Sequence, residues 1–297
     1  ALLIGGDLSG VQDFIYTISA RQAAKSLRGR SFYLQLLTEA VLRFTLSQLG
    51  LPYTNVIYSG GGHFFILAPL SAAARLSDIQ KQVSQVLLDH HGSQLYLAYG
   101  ASRVPLSGFR AGNFPEYWSE MHHQLAVAKS RRYTELGEDL HARLFEPLHL
   151  HGEGHTCAVC GADDRHTEAW DADHEGQAYI CDLCASFSDE IGAVLPRSSF
   201  VALGFSAPQP TRKSSALESL KALGMQVQFL ESKDHKIELS QTDQIVIWAL
   251  DDVADNQWPA SPKPAVHQVR YTLNRTPLVK DSRSEERRVG KECRSRW

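Results

Sequence analysis

The chain has 297 residues, 43% of them hydrophobic and 21% charged, a balance that fits a globular protein of about two domains. Its opening apolar run is too short and lacks the basic flank of a signal peptide, and no stretch is apolar enough to span a bilayer, so a membrane role is excluded and a cytoplasmic place is expected. The last 15 residues carry six Lys or Arg and three Glu; setting that +3 aside takes the net charge from −3 to −6, which argues against a broad nonspecific nucleic-acid surface and leaves room for local basic patches.

Residue 1 is Ala, read as an opening inside a strand-forming region, and Leu2-Leu3-Ile4-Gly5-Gly6-Asp7 is a short apolar run that ends in a carboxylate. A short helix is expected over Val11–Ile18. Lys25-Ser26-Leu27-Arg28-Gly29-Arg30 then brings three cations into six residues, either a solvated approach to a helix or a guanidinium, Arg28 or Arg30, set on a phosphate. From Ser31 the helical period is clear, with Leu34, Leu37, Val41 and Phe44 on one face and Gly50 as the stop.

Asn55-Val56-Ile57-Tyr58 and Phe64-Phe65-Ile66-Leu67, both apolar on two faces, flank Ser59-Gly60-Gly61-Gly62-His63. This predicts two central strands joined by a tight turn. Three glycines tolerate positive φ and present bare N–H groups to a phosphate or base, although a plain glycine-rich turn explains them too. Palm-type nucleotidyltransferases place an aspartate at the end of the first strand and acids on the central hairpin to hold two divalent cations. Here Gly62 and His63 stand where those acids belong, so Asp7 is left without carboxylate partners.

A second amphipathic helix is expected with Leu76, Ile79, Val83 and Val86 on its face, Ser71 capping its start and Gly92 its end, followed by a strand over Gln94–Ala101. A helix over Glu116–Glu135 turns Trp118, Met121, Leu125 and Ala128 to the core. Lys129, Arg131 and Arg132 at its end either complement the helix dipole or extend a phosphate-binding patch. The order strand, helices, hairpin, helix, strand predicts a ferredoxin-like palm in an α+β protein: an antiparallel sheet with helices on one face.

Composition shifts near Glu146, where histidines and glycines crowd together. Cys157-Ala158-Val159-Cys160 and Cys181-Asp182-Leu183-Cys184, twenty residues apart, predict a closed tetrahedral Zn²⁺ site in a ribbon over 150–190. Four thiolates leave no open coordination position, so the metal is structural, and His155, His166 and His174 read as surface histidines. Strands are expected over Ser199–Phe205, Gln226–Leu230 and Gln244–Leu250, a helix over Ala216–Leu223, a turn at Asp251-Asp252, an exposed loop through Pro259, Pro262 and Pro264, and an extended run over Val266–Leu273. Residues 283–297 have no apolar period and resemble the translation of a common sequencing adapter.

Ile4-Gly5-Gly6-Asp7-Leu8-Ser9-Gly10-Val11-Gln12-Asp13-Phe14-Ile15-Tyr16, Lys25-Ser26-Leu27-Arg28-Gly29-Arg30-Ser31 and Tyr58-Ser59-Gly60-Gly61-Gly62-His63-Phe64 together resemble the large palm-containing subunit of type III-A CRISPR interference complexes, the Csm type, over residues 1 to about 282. The resemblance implies a degenerate, GGDEF-like palm over 1–140 and a linker domain with the zinc ribbon over 141–282. It implies a nucleotide site made by Ser59, Gly60, Gly61 and Gly62 against ATP, Arg28 or Arg30 on phosphate, and Asp7 as a remnant metal or ribose contact. It implies an intact protein that uses ATP with Mg²⁺ or Mn²⁺ to make cyclic oligoadenylates, cleaves single-stranded DNA, and binds sister subunits, guide RNA and target RNA. This stretch by itself is expected to be inactive. Two rivals stay open: an autonomous nucleotidyl cyclase, against which the missing acids count, and a noncatalytic zinc-ribbon scaffold for nucleic acid or a partner.

Overall fold

The computed structural model describes residues 1–20, 22–110, 112–138, 144–145, 155–170, 178–209, 211, 214–239, 241–251, 257–260, 266–270, 278–280 and 286–288. It is an α+β structure that divides into two compact units, residues 1–193 with 207–225, and residues 194–206 with 226–297. The division falls away from the domain boundary expected at 140/141, because the cysteine-bearing segment packs on the first long helix.

The first unit is built on a four-stranded sheet in the order β2-β3-β1-β4. Its strands are β1 (Leu2–Ser9), β2 (Val56–Gly60), β3 (His63–Ala68) and β4 (Tyr96–Arg103), and every neighbouring pair is antiparallel. With α1 (Val11–Tyr16) and α2 (Ala23–Leu49) before β2 and α3 (Leu76–His91) before β4, the connectivity is βαββαβ, the split arrangement in which β1 lies between β3 and β4. α4 (Phe114–Ser130) follows.

Helices cover both faces of the sheet, not one. Leu3, Phe65 and Ala98 join Met121 and Leu125 of α4 in one buried cluster. On the other face, whose residues alternate with these along each strand, Tyr99 meets Thr45 of α2 at 2.5 Å and the ring of Phe64. Gly5 and Gly100, partners in the ladder, explain how α4 comes so near: a Cβ on Gly5 would meet the Met121 sulfur at 2.2 Å, and one on Gly100 the Met121 carbonyl oxygen at 2.4 Å. β3 is central as expected, but β2 is the sheet edge, with Ile57 and Tyr58 each 53% exposed and a bulge between Val56 and Tyr58.

α2 begins at Ala23, eight residues before the apolar period becomes readable, and ends at Gly50, whose φ of 66° terminates it. Ser71 lies in a 3₁₀ turn, Leu70–Arg75, and caps nothing; Arg75 stands at the N-cap of α3. The cysteine segment contributes a short ladder, β5 (Thr167–Ala169) with β6 (Tyr179–Cys181), then α5 (Asp182–Ser186), which continues as one π turn over Phe187–Gly192. α6 (Ala216–Lys221) belongs to this unit: Ser219 Oγ lies 2.7 Å from Tyr33 Oη, and the Ala216 amide donates to Ser186 Oγ at 2.8 Å.

The second unit holds a sheet in the order β10-β9-β7-β8, from β7 (Phe200–Phe205), β8 (Met225–Leu230), β9 (Gln244–Ala249) and β10 (Val266–Arg270). β7 runs antiparallel to β9, and β10 parallel to it. Phe200, Ala202, Leu230, Ile245 and Ile247 form its core. Pro259 is buried, contrary to its expected place in an exposed loop, while Asp252, Pro262 and Pro264 lie outside the described residues. β11 (Leu278–Lys280) pairs with β12 (Glu286–Arg288), so part of the segment set aside as adapter-like takes a strand position. Among the described residues no helix is long and apolar enough to cross a membrane.

Candidate functional site

The glycine hairpin closes in two residues. Gly60 pairs with His63, and Gly61 and Gly62 have φ of 61° and 83°, the pair of left-handed conformations a type I′ turn requires. A Cβ on Gly61 would point into open space. A Cβ on Gly62 would lie 3.7 Å from both Leu8 Cβ and Val11 Cγ2, and the Leu8 amide donates to the Gly62 carbonyl oxygen at 2.9 Å. The turn is therefore stitched to the end of β1.

Asp7 is register partner to His63 and only 8% exposed. Its carboxylate is already balanced: Oδ2 accepts from Lys129 Nζ, and Oδ1 lies 3.3 Å from His63 Nδ1. An ammonium thus sits against this carboxylate, and the neighbouring Gly62 and His63 add no second one. Two-metal chemistry needs more negative charge than this site offers.

Beside that ion pair opens a pocket of about 650 Å³, within the range of small-molecule sites. Ser9, Gly10, Gln12, Asp13, Gln94, Lys129 and Arg132 line it together with Leu8 and Val11, the two residues that touch Gly62. The structure brings Asp7 and the Gly60–Gly62 turn together, but Asp7, Ser59, Gly60, Gly61 and Gly62 do not line this pocket; Leu8, Val11 and Lys129 connect them to it. It does not bring Arg28 or Arg30. Arg28 is exposed and donates through Nη1 to the Gly192 carbonyl oxygen at 2.8 Å. Arg30 is 1% exposed, so the expectation that it reaches a phosphate fails on burial: Nη1 donates to the Phe14 carbonyl oxygen at 3.0 Å, Nη2 to Cys184 Sγ at 3.2 Å, and the rings of Phe14 and Phe187 flank it. Burial pushes its guanidinium below the ordinary value, and the neighbouring cysteines push it back up. The cations at the pocket come from the end of α4 and the residues after it, where the sequence left a dipole role equally open.

Cys157, Cys160, Cys181 and Cys184 converge, their sulfurs all within 4.8 Å of one another. Cys160 and Cys181 are 3.7 Å apart, against about 3.8 Å for two sulfurs on a tetrahedral metal with 2.3 Å bonds. The Cys181 amide donates to Cys157 Sγ at 3.3 Å, and Gly161, at φ 73°, closes the first knuckle through its N–H to the Cys157 carbonyl oxygen. The four thiols hydrogen-bond to one another, so they titrate as a group, and a bound cation is what would let all four be deprotonated together. The donor set fits a closed tetrahedral metal. His155 is exposed and stacks on Tyr179, His166 is exposed and meets Asp182 at 3.0 Å, and neither joins the cluster; His174 lies outside the described residues.

Residues 1–147 match the family model described as Csm1 subunit domain B. The chain is similar to the CRISPR system single-strand-specific deoxyribonuclease Cas10/Csm1 (subtype III-A) of Methanocaldococcus jannaschii, 34% identical over 198 residues, which cover 62% of this chain and 24% of the relative. The protein of the same description from Streptococcus thermophilus is 43% identical over 101 residues, 33% of this chain and 13% of that one. A solved Csm1-Csm4 cassette in complex with one ATP superposes with a TM-score of 0.59 at 26% identity, covering 91% of this chain and 30% of the other. The chain spans about a quarter of the length of the first of these relatives.

Proposed function

We propose that this chain, whose residues 1–147 match the family model for Csm1 subunit domain B, is the nucleotide-binding, noncatalytic palm of a type III-A CRISPR effector large subunit, braced by a four-cysteine zinc ribbon. The observation that carries the reading is the Asp7–Lys129 ion pair beside an open pocket: the carboxylate is taken up by an ammonium, while room for a ligand remains next to Lys129 and Arg132. Ser59, Gly60, Gly61 and Gly62 would approach an ATP from behind the Leu8–Val11 wall of the pocket, with Asp7 fixing Lys129 toward its phosphates. Zinc suits the cluster because four thiolates in two knuckles favour a soft, tetrahedral, redox-silent ion. In the whole protein this palm supplies one side of a nucleotide site shared with a catalytic neighbour. That protein would use ATP with Mg²⁺ or Mn²⁺ to make cyclic oligoadenylates, cut single-stranded DNA, and work in the cytoplasm with a Csm4-type subunit, guide RNA and target RNA.

Calorimetric titration of the metal-loaded chain with ATP tests the pocket. Saturable binding is expected, weakened about tenfold by Arg132→Ala, the worth of one charge-assisted hydrogen bond, and unchanged by Arg28→Ala. No binding to a folded, metal-loaded chain would leave the scaffold reading in its place.

A further inference from the structure

Arg30 has no role in the pocket, yet it is among the largest fully buried side chains of the described residues. It rises from α2, and among the described residues no carboxylate pairs with it. A guanidinium taken out of water without a counter-charge costs several kcal/mol, so its position needs an anion within reach. The anion on the page is sulfur: Nη2 donates to Cys184 Sγ at 3.2 Å. Four thiolates around a divalent cation carry a net charge of −2, and this cluster lies mostly buried, with Cys157, Cys181 and Cys184 at 3% exposure or less. The two problems solve each other, because an excess cation from α2 meets an excess anion from the ribbon.

We propose that Arg30 is the built-in counter-cation of the four-cysteine metal centre, a positioning residue that acts through Cys184 and joins the state of the metal to the α1–α2 packing. The join is direct. The same guanidinium that donates to Cys184 donates to the carbonyl oxygen of Phe14, and its plane is held between the Phe14 and Phe187 rings, 4.8 Å and 4.7 Å from their centroids. Phe14 also lines the ligand pocket. A metal leaving the ribbon strips Arg30 of its counter-charge and loosens a wall of the pocket through one side chain. The inference rests on the cysteines holding a metal.

The test compares the full chain with Arg30→Met, Arg30→Lys and the exposed control Arg103→Met, reading zinc affinity by chelator competition and the thiolate-to-metal charge-transfer band after Co²⁺ substitution. Loss of an outer partner of a metal ligand typically weakens binding about 10- to 100-fold, and that range is expected for Arg30→Met. The band should move to lower energy as the N–H···S bond to Cys184 is lost. Arg30→Lys, which keeps the charge and loses the fork, should fall between, and Arg103→Met should match the parent. Should Arg30→Met not fold, the Lys variant decides by the band alone: a shift supports the assignment, and an unmoved band overturns it. Zinc affinity within about twofold of the parent and an unmoved band in both variants would overturn it as well. A parent chain that takes up no metal would remove the zinc reading itself, a separate outcome visible before any variant is made.

Discussion

At Asp7 the buried carboxylate meets the ammonium of Lys129. The sequence announced the missing acids at Gly62 and His63 but not this partner, because Lys129 is 122 residues away and reads equally well as a helix-end charge. His91 is another residue whose environment decides its chemistry. Its Nε2 lies 2.6 Å from Tyr33 Oη in a fully buried contact, and burial, ahead of the neighbouring His90, Arg165 and Arg30, lowers its pKa well below the ordinary histidine value. The folded chain therefore refuses a proton that the unfolded chain accepts below pH about 6.5, so stability is fully present above that pH and falls as pH drops beneath it, by about 1.4 kcal/mol per unit for one group. Urea unfolding at a series of pH values should show this slope, and His91→Gln should flatten it; an unchanged slope would put the acid sensitivity elsewhere.

α2 shows why an element can be longer than its pattern. Lys25-Ser26-Leu27-Arg28-Gly29-Arg30 has no apolar stripe, so the period becomes readable only from Ser31. The first turns are nonetheless helical because their partners arrive more than 150 residues later: Ser26 Oγ meets Ser188 Oγ at 2.7 Å, and Arg30 meets Cys184. Gly29 marks the seat, since a Cβ there would fall 1.8 Å from the Phe187 carbonyl oxygen, and reciprocally a Cβ on Gly192 would fall 2.1 Å from that of Lys25. Backbone lies on backbone, so neither side can yield by changing a rotamer. Gly29→Ala should cost about 3 kcal/mol or more, beyond the usual price of overpacking, and should lower the thermal midpoint even with zinc in excess. An unshifted midpoint would mean that helix and ribbon separate without loss.

For the whole molecule, local chemistry was legible and long-range assembly was not. Two cysteine pairs, a glycine turn and a βαββαβ order can each be read within a few dozen residues, and the four-stranded sheet, the convergent sulfurs and the closeness of Asp7 to the turn agree with that reading. The second helical face, the edge position of β2 and the seating of the ribbon depend on contacts between distant segments, which no local period encodes. The proposed division of labour also belongs at this scale. With Asp7 paired to an ammonium and no acid at Gly62 or His63, the chain given ATP with Mg²⁺ or Mn²⁺ should form no detectable oligoadenylate, by chromatography of the nucleotides; measurable product would overturn the noncatalytic assignment.

The bulge in β2 bears on how the chain behaves in a tube. A flat sheet margin bearing Ile57 and Tyr58 would recruit strands from other molecules and seed fibres. Displacing Ile57 from the ladder spoils the even spacing of donors and acceptors that such growth needs, and the strand is only five residues long. The kink therefore acts as a stopper at a margin where aromatic and aliphatic surface is left open.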